Sequence, residues 1–365
     1  MKIGIITFFR ENYGAVLQAY ALQTVLESLG HSAEIIDYDT TSRCTESLFT
    51  PWTSSKGVVL NLFTVLRYRL FVERKQRFAD FQKQNLHVSI EKYFSSSELE
   101  RSLSEYDAFI CGSDQVWHPS TDHDRNRAYF LGFVKQGQAI KISYAPSFGV
   151  SSVPQSCNQE IQPWINDIPN LSVREETGKA IIEQIAGRQA TVVLDPTLLL
   201  ENAKWDRIAM QTKIERPYVL VYSTSQRGLF SELVKYIKKT TGLPVVVLSL
   251  YSLNLIPMAD HVIYDAGPSE FIGLFANATC VCTNSFHGTA FSIIYRKPFW
   301  SVPHNATNSR IADLLHRIEL SNRQVSGPEH FPESPLEIDY AATASLLDRE
   351  RRQSIDFLKT ALLWT

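Results

Sequence analysis

A histidine at the junction of a predicted strand and a predicted helix is the residue of this sequence best placed for proton transfer. The run Thr283-Asn-Ser-Phe-His-Gly-Thr289 ends an apolar strand and opens a helix at about His287. The free N–H groups of a helix start favour an anion, and a histidine beside them can hold a proton until an anionic substrate arrives. Although an isolated histidine is more often structural, the polar neighbours favour His287 as a general acid. The neighbours interpreted as binding residues are Asn284, Ser285, Gly288 and Thr289.

A polar loop follows another predicted strand, in the run Cys111-Gly-Ser-Asp-Gln-Val-Trp117. Gly112 permits a close approach of the backbone, and Ser113, Asp114 and Gln115 place three polar side chains on one loop. A carboxylate in this position can accept the proton of a reacting hydroxyl, so Asp114 is a candidate general base. The alternative is structural, with Ser113 or Asp114 capping the start of a helix.

An arginine stands where a third predicted strand meets a helix, in the run Leu171-Ser-Val-Arg-Glu-Glu-Thr-Gly178. A guanidinium can bind a carboxylate or a phosphate through two parallel hydrogen bonds, so Arg174 is a candidate anion-binding residue. The alternative is an ion pair with Glu175 or Glu176, which contributes little to stability if it is exposed.

The turn between the first strand and the first helix, Phe8-Phe-Arg-Glu-Asn-Tyr-Gly-Ala-Val-Leu-Gln18, is the fourth candidate. Asn12-Tyr13-Gly14 would turn the chain and open a helix whose N–H groups favour an anion or a polar ligand. The turn lacks the glycine pattern of a nucleotide-binding loop, and a purely structural turn with a capping asparagine is the alternative. The residues interpreted as binding residues are Asn12, Tyr13, Gly14 and Gln18.

The elements that position these motifs alternate between strands and helices along the whole chain. Lys2–Ile6 is a predicted buried strand, and the helical stripe that follows it ends at Gly30. Such alternation predicts an α/β fold with mostly parallel sheets. The further predicted strands are 33–36, 106–111, 141–144, 171–174, 190–194, 218–222, 245–250, 261–264, 279–283 and 299–302, and the further predicted helices are 57–84, 176–185, 229–240, 269–276, 288–295, 309–317 and 341–363.

The first series of elements ends near Asp195-Pro196, and a second begins at Tyr218. A chain of 365 residues predicts two domains, since one domain usually holds about 100–200 residues. We expect two Rossmann-like, doubly wound domains over 1–200 and 210–335, and a segment over 336–365 whose helix packs back on the first domain. Ligands of open α/β sheets bind at the carboxyl ends of the strands, so the four motifs predict a site in a deep cleft between the domains.

Composition excludes several classes of protein. Lys and Arg number 36 against 38 Asp and Glu, which argues against a protein that mainly binds nucleic acid. An odd, scattered set of five cysteines predicts a reducing compartment and no disulfide framework, and no Cys/His spacing predicts a metal site. The N-terminal apolar run is too short for a signal peptide, and no run reaches the ~18 apolar residues of a membrane span. We therefore expect a cytoplasmic protein.

One segment, residues 59–78, combines apolar side chains with five basic ones. Such a helix can lie on an anionic membrane surface, which would place the protein at the inner face of the membrane. The alternative is an amphipathic helix packed on its own domain. The basic residues are Arg67, Arg69, Arg74, Lys75 and Arg77.

In their order along the chain, these motifs resemble the polysaccharide pyruvyl transferase family. The resemblance spans positions 3 to about 315 and implies two domains arranged as in GT-B glycosyltransferases, with the acceptor on the N-terminal side. The matching runs are Asn12-Tyr-Gly-Ala-Val-Leu-Gln-Ala-Tyr-Ala-Leu-Gln23, Gly112-Ser-Asp-Gln-Val-Trp117, Ser172-Val-Arg-Glu175, Leu194-Asp-Pro-Thr197, Asn284-Ser-Phe-His-Gly-Thr-Ala-Phe-Ser292 and Asn308-Ser-Arg-Ile311.

The resemblance also implies a reaction: transfer of pyruvate from phosphoenolpyruvate to two hydroxyls of one sugar, with formation of a cyclic ketal and release of phosphate. Phosphoenolpyruvate is then a co-substrate, and no other cofactor is expected. The acceptor sugar would belong to a polysaccharide or its precursor, free or lipid-linked. By the same likeness His287 matches the family's essential histidine, and Arg174 matches an arginine that binds phosphoenolpyruvate.

The chain departs from the family's pattern at Ser285, where characterised members often carry arginine two residues before the histidine. A second cationic contact must then come from elsewhere, and the candidates are Arg310, Arg296 and Lys297. Two other functions stay open at this point. A glycosyltransferase with a nucleotide-sugar donor would release a nucleotide, and a non-catalytic glycan-binding protein would turn over no donor.

Overall fold

The computed structural model describes residues 1–39, 55–102, 105–223, 228–249, 258–303 and 309–363, without the side chains of residues 55–67 and 309. Residue 250 of one predicted strand, the side chain of Arg67 and Asn308 of the last matching run lie outside this description.

Five parallel strands form a sheet in the first half of the chain, in the order β3-β2-β1-β4-β5. The central strand β1 is fully buried at Ile3 and Ile5, as its apolar sequence predicts. Strand β3 is the one that the sequence analysis missed. It lies at the edge of the sheet, where Ile90 points fully into solvent and obscures the pattern of burial. The strands are β1 (Lys2–Ile6), β2 (Ser32–Tyr38), β3 (Val88–Tyr93), β4 (Ala108–Cys111) and β5 (Ile140–Ser143).

A second five-stranded parallel sheet repeats the same topology, in the order β10-β9-β8-β11-β12. In both sheets the first strand along the chain is central, and the order reverses beside it, as in Rossmann-like folds. The expectation of two doubly wound α/β units is confirmed. The strands are β8 (Val219–Tyr222), β9 (Val245–Leu248), β10 (His261–Ile263), β11 (Cys280–Thr283) and β12 (Phe299–Ser301).

Two predicted strands, 171–174 and 190–194, shorten to a separate parallel pair, β6 (Ser172–Val173) and β7 (Thr191–Val192). An isolated bridge between Ile142 and Asn170 joins this pair to the edge of the first sheet. The pair matters because Arg174 and Asp195 both follow it closely in the chain.

Helices cover both sheets. The bounds of the predicted helices agree with the structure to within a few residues, whereas the helices over 96–102, 123–129, 155–166 and 202–206 were not predicted. The helices are α1 (Tyr13–Ser28), α2 (Ser55–Asn85), α3 (Ser96–Ser102), α4 (His123–Tyr129), α5 (Gln155–Asn166), α6 (Glu176–Ala186), α7 (Asn202–Asp206), α8 (Leu229–Thr241), α9 (Pro268–Asn277), α10 (Phe286–Ile294), α11 (Ser309–Arg317) and α12 (Ala341–Leu362).

Helix α2 contains the basic, apolar segment 59–78. Phe71 and Phe78 are buried, and the Phe78 ring packs on Tyr13 with centroids 5.0 Å apart, whereas Tyr68 and Val72 are exposed. One face of the helix therefore packs, and contact of the other face with a membrane stays a prediction. None of the described helices combines the length and the apolar character needed to cross a bilayer.

The two sheets are joined by a continuous apolar core rather than by a linker alone. Tyr13, at the start of α1, stacks on Phe271 of α9 with ring centroids 4.8 Å apart. Its hydroxyl donates to the Ala266 carbonyl at 2.6 Å. The last helix also reaches the first half of the chain, because Ser354 accepts from the Leu194 amide at 2.9 Å and Arg351 donates to the Leu198 carbonyl at 2.7 Å.

We expect Tyr13→Phe to lower the free energy of unfolding by about 1–3 kcal/mol, because the buried Ala266 carbonyl loses its hydroxyl donor while the stacked ring is kept. Denaturant unfolding measures the change. Tyr20→Phe is the matched control, since its partly buried hydroxyl donates no hydrogen bond within the described residues, and it should change the value by less than about 0.5 kcal/mol. Equal effects of the two variants would contradict this role for Tyr13.

Candidate active site

His287 lies in the first turn of α10, directly after β11, and three of the predicted binding residues hold that turn in place. Ser285 caps the helix, its hydroxyl accepting from the Gly288 amide at 3.4 Å. The Thr289 hydroxyl donates to the Ser285 carbonyl at 3.1 Å. A Cβ on Gly288 would lie 2.2 Å from the Thr283 hydroxyl oxygen, so only glycine fits there. The helix begins at Phe286, within two residues of the predicted start at 287–288, and Asn284 is buried just ahead of it.

Gly14 of the first domain packs directly on the His287 imidazole. A Cβ at Gly14 would lie 2.0 Å from Nδ1 and 2.4 Å from Cε1, well inside van der Waals contact. The predicted turn of the first domain and the predicted histidine of the second therefore meet across the cleft, and His287 is buried at their contact.

The centre of the site is Asp195, a fully buried carboxylate that follows β7. Its Oδ2 accepts hydrogen bonds from the Ser113 hydroxyl at 2.8 Å and from Arg174 Nη1 at 3.0 Å. Its Oδ1 accepts from the Thr197 amide at 3.0 Å and from the Thr197 hydroxyl at 2.7 Å. The His287 Nε2 stands 3.7 Å from Oδ2. One side chain thus connects two loops of the first domain to the histidine of the second.

These partners keep Asp195 ionised. Burial by itself would raise the pKa of the Asp195 carboxyl, but the facing His287 imidazole, the Arg174 guanidinium and the Thr197 hydroxyl together hold that pKa well below its usual range.

Arg174 is almost fully buried, and its main partner is Asp195 rather than the neighbouring Glu175 or Glu176 that the sequence suggested as alternatives. The guanidinium carbon lies 4.3 Å from the centre of the Phe286 ring. Glu175 Oε2 is 3.8 Å from Arg174 Nε, which is too long for a hydrogen bond. Nε and Nη2 of Arg174 therefore have no hydrogen-bond partner within the described part of the chain.

Arg310 of α11 supplies a second cation. The Gln115 amide lies against it and, with its oxygen toward the guanidinium, accepts from Nη1 and Nη2 at 2.8 Å each. Burial, followed by the charge of Arg174, lowers the pKa of Arg310 to about 10, and Arg310 Nε has no partner in the described ranges. Of the other two candidates, Arg296 lines a separate cavity beside Tyr340, and the Lys297 carbonyl accepts from the hydroxyl of that tyrosine.

Asp114 stands at the mouth of this cluster, with Oδ1 4.0 Å from Arg174 Nη2. The same oxygen caps the Gln115 amide at 2.9 Å, and the backbone has a φ of +76°, a strained conformation for a residue other than glycine. The Ser113 hydroxyl beside it lies 2.9 Å from the Ala145 carbonyl oxygen and 2.8 Å from Asp195 Oδ2, and these two acceptors share its one proton. Asp114 therefore caps a backbone amide, as the structural alternative predicts, and it also lies within the candidate site. Gly112 lets the loop approach Thr7, whose Cβ a side chain there would meet at 2.9 Å.

The remaining residues of the first turn hold the turn itself. The Asn12 side chain accepts from the Ala15 amide at 3.2 Å. Nε2 of the buried Gln18 amide lies 2.9 Å from the Thr7 hydroxyl oxygen and from the Phe8 and Ala15 carbonyl oxygens, and these three acceptors share its two N–H groups. The ring and hydroxyl of Tyr13 make contacts that join the two sheets. Direct contact of Asn12, Tyr13 and Gln18 with a ligand stays a prediction.

Two carboxylates of the site were not among the predicted site residues. In the sequence, Asp195 ends the first series of strands and helices and belongs to one of the matching runs. The dipeptide Asp195-Pro196 by itself does not indicate which side chains bind the carboxylate. Glu175, nearly fully buried, accepts from the Ser147 hydroxyl at 2.7 Å, and burial raises the pKa of its carboxyl against the opposing charge of Arg174. Within the described ranges, no three His, Cys, Asp or Glu side chains converge as metal ligands.

Comparison with solved structures defines the class of the fold. The UDP-GlcNAc 2-epimerase of Methanocaldococcus jannaschii aligns over 100% of both chains with a TM-score of 0.53 and 14% identity. A putative UDP-N-acetylglucosamine 2-epimerase of Listeria monocytogenes aligns over 98% of this chain and 90% of its own, with a TM-score of 0.50 and 12% identity. The glycosyltransferase SsfS6 of Streptomyces sp. SF2575 aligns over 99% and 96%, with a TM-score of 0.41 and 14% identity.

At these identities the likeness to the two epimerases shows the fold alone, which is the GT-B-like arrangement of two Rossmann-like domains. A family model supplies the family. The model of the polysaccharide pyruvyl transferases matches residues 12–305, so the chain belongs to that family. No curated protein matches the sequence significantly.

We expect Asp195→Asn to lower the free energy of unfolding at pH 7 by about 3–5 kcal/mol, because the buried Arg174 loses the one carboxylate within hydrogen-bond distance of its guanidinium among the described residues. The folded-state pKa of Asp195 lies below its unfolded value of about 3.9, so this stabilisation is complete above that value and declines as the pH falls below about 4. Denaturant unfolding at pH 7 and at pH 3 measures the difference between the variant and the wild type.

Asp356→Asn is the matched control, because Asp356 is exposed and pairs with Lys359 only at 3.8 Å. It should cost less than about 1 kcal/mol at either pH. A pH-independent loss in Asp195→Asn would contradict the ionised state of Asp195.

Proposed function

We propose that this protein transfers the pyruvyl group of phosphoenolpyruvate to two hydroxyls of one sugar, forming a cyclic ketal and releasing phosphate. The observation that carries the proposal is the pair of buried guanidiniums, Arg174 and Arg310, with three N–H positions that no described residue accepts. Buried donors are nearly always paired, so these positions suit an anion with several oxygens. Phosphoenolpyruvate has this character, since it carries a phosphate and a carboxylate on neighbouring groups.

The reaction requires a proton at the methylene carbon of phosphoenolpyruvate, and His287 is the group assigned to deliver it. Protonation makes the adjacent carbon electrophilic, and the first sugar hydroxyl attacks there and forms a C–O bond. The C–O bond to phosphate then breaks, and the second hydroxyl attacks the same carbon and closes the ketal. The protons of the two hydroxyls balance the step, because one replaces the proton that His287 gave and the other leaves with phosphate.

Asp114 is assigned to the hydroxyls. It lies at the mouth of the arginine cluster, and its Oδ2 accepts no hydrogen bond from the described residues. A carboxylate there can orient a hydroxyl and accept its proton as the C–O bond forms. Arg174 and Arg310 would stabilise the charge that moves onto the leaving phosphate.

The acceptor, in this proposal, belongs to a polysaccharide or to its lipid-linked precursor, in line with the family. We also propose that the reaction takes place in the cytoplasm. Contact with an anionic membrane would use the outer face of α2, where Tyr68 and Val72 are exposed.

We expect phosphoenolpyruvate to raise the melting temperature of the wild-type protein, and Arg310→Gln to abolish the shift. The substitution keeps a polar side chain of similar length and removes the charge, so the dissociation constant should rise by at least roughly tenfold. A thermal-shift titration measures it, with UDP, GDP and CMP as parallel ligands. Arg69→Gln is the control, because the Arg69 side chain is 90% exposed and its one ion-pair partner among the described residues is Glu73. A shift with a nucleotide and none with phosphoenolpyruvate would favour glycosyl transfer instead.

We expect His287→Gln to lower the rate of phosphate release by about 10²–10⁴-fold, because glutamine cannot deliver the proton. Binding of phosphoenolpyruvate should persist, which separates a lost proton from a lost site. Phosphate release is measured with phosphoenolpyruvate and a panel of sugars. His330→Gln, at an exposed position, serves as the control. Near-native activity of His287→Gln would show that another group is the acid.

A further inference from the structure

Residues 194–198 form the loop that carries Asp195, and side chains from other elements hold this loop in place. The ladder between β6 and β7 ends just before the loop, where the Val193 amide donates to the Val173 carbonyl at 2.9 Å. The next carbonyl, that of Leu194, accepts from the buried Tyr144 hydroxyl at 3.1 Å. The position of the Asp195 carboxylate therefore depends on contacts made outside the strand.

Helix α12 holds the same loop at both of its ends. The Ser354 oxygen accepts from the Leu194 amide at 2.9 Å, and the Ser354 proton goes to the Glu350 carbonyl, one turn earlier in the helix, at 2.7 Å. At the other end of the loop, Arg351 Nε donates to the Leu198 carbonyl at 2.7 Å. Ser354 is only 1% exposed. Because a buried amide without an acceptor is costly, these bonds restrict where the loop can lie.

The helix is in turn attached to α11 of the second domain. The Glu350 carboxylate, which is mostly buried, pairs with the Arg317 guanidinium. One helical face further back, the Thr343 hydroxyl donates to the Ile318 carbonyl at 3.2 Å. Helix α11 also carries Arg310, so α12 links the loop of Asp195 to the helix that supplies the second guanidinium of the site.

A shift of this loop would reach the reacting groups through Asp195. Its Oδ2 accepts from Arg174 Nη1 at 3.0 Å and stands 3.7 Å from His287 Nε2. A buried ion pair offsets the cost of desolvation only when its geometry is good. A displacement of about 1 Å, caused by a substitution far from the chemistry, can lower a rate by about 10²-fold. The anchors of the loop are therefore expected to affect both binding and turnover.

We propose that Ser354 and Arg351 are positioning residues of the active site, through which helix α12 fixes the place of Asp195 and hence of Arg174. Neither residue touches a ligand in this proposal, since both act on the backbone of the loop. The inference rests on the proposed function in so far as phosphoenolpyruvate is the anion that Arg174 binds, and it deepens that function by assigning a part of the site to α12.

The first test is isothermal titration of the full-length protein with phosphoenolpyruvate. Ser354→Ala should raise the dissociation constant by roughly tenfold and leave the number of sites per chain unchanged, because the loop shifts when the Leu194 amide loses its acceptor. A merely structural role would instead lower the number of sites without changing their affinity. Ser345→Ala is the control, since this exposed serine of the same helix bonds only to the Ala342 carbonyl among the described residues. It should leave both values unchanged.

Arg351 provides a second test, with a conservative variant that should rescue binding. Arg351→Met keeps the length of the side chain but removes the donor, and it should raise the dissociation constant by roughly fivefold. Arg351→Gln places an amide N–H as many bonds from the backbone as Nε, so it should restore nearly the wild-type value. Equal losses in the two variants would overturn the role of the bond to Leu198, because both also lose the ion pair with Asp348.

A double-mutant cycle tests the same inference without any ligand. Ser354→Ala and Asp195→Asn should have non-additive effects on the free energy of unfolding in denaturant, because both act through the placement of one carboxylate. Ser345→Ala and Asp195→Asn should be additive. The inference is overturned if Ser354→Ala keeps the wild-type dissociation constant or if its effect on unfolding is additive with that of Asp195→Asn.

Failure of the inference is distinguishable from failure of the proposed function. If phosphoenolpyruvate does not bind the wild type, the proposed donor is lost, and the double-mutant cycle alone decides whether Ser354 positions Asp195. If phosphoenolpyruvate binds while the cycle is additive, the donor stands and the role of α12 is overturned.

Discussion

The ionised carboxylate of Asp195 is the interaction on which the geometry of the site depends. Its two oxygens accept hydrogen bonds from the loop after β4, from Arg174 after β6 and from Thr197 in its own loop, and it faces the histidine of the second domain. Buried charge is tolerated only when it is compensated in this way. The carboxylate therefore holds Arg174 in place and faces His287 across the cleft.

The departure of this chain at Ser285 has a structural explanation in the same cluster. Ser285 caps α10 and so orients His287, a role that uses the hydroxyl and leaves no cation at that position. Arg310 on α11, beside Gln115, brings a second guanidinium near Arg174. The two guanidiniums tolerate each other because Asp195, Glu175 and Asp114 surround them.

Much of the fold was predictable because buried parallel strands are continuous apolar runs and helices carry their own periodicity. The strand β3 escaped prediction, since its edge position exposes Ile90 and Glu91. The site residues were predictable in so far as they follow strands, because the carboxyl ends of parallel strands share one edge. Their partners were not: Arg174 stands beside two glutamates in sequence, yet pairs with Asp195 from the next strand along the chain. Local patterns likewise did not indicate that the side chains of Gln18 and Tyr13 donate hydrogen bonds to other residues of the protein.

The aromatic contact between Tyr13 and Phe271 lies in a core that runs beneath the cleft from one sheet to the other. A rigid rotation that opened the cleft would pull these rings apart and expose apolar surface, so wide hinge motion is costly. The shared apolar core therefore limits how far the cleft can open. Each sheet has the topology of an independent Rossmann unit, yet the two sheets share one cooperative core. If the chain were divided between them, each half would expose the apolar surface with which it contacts the other.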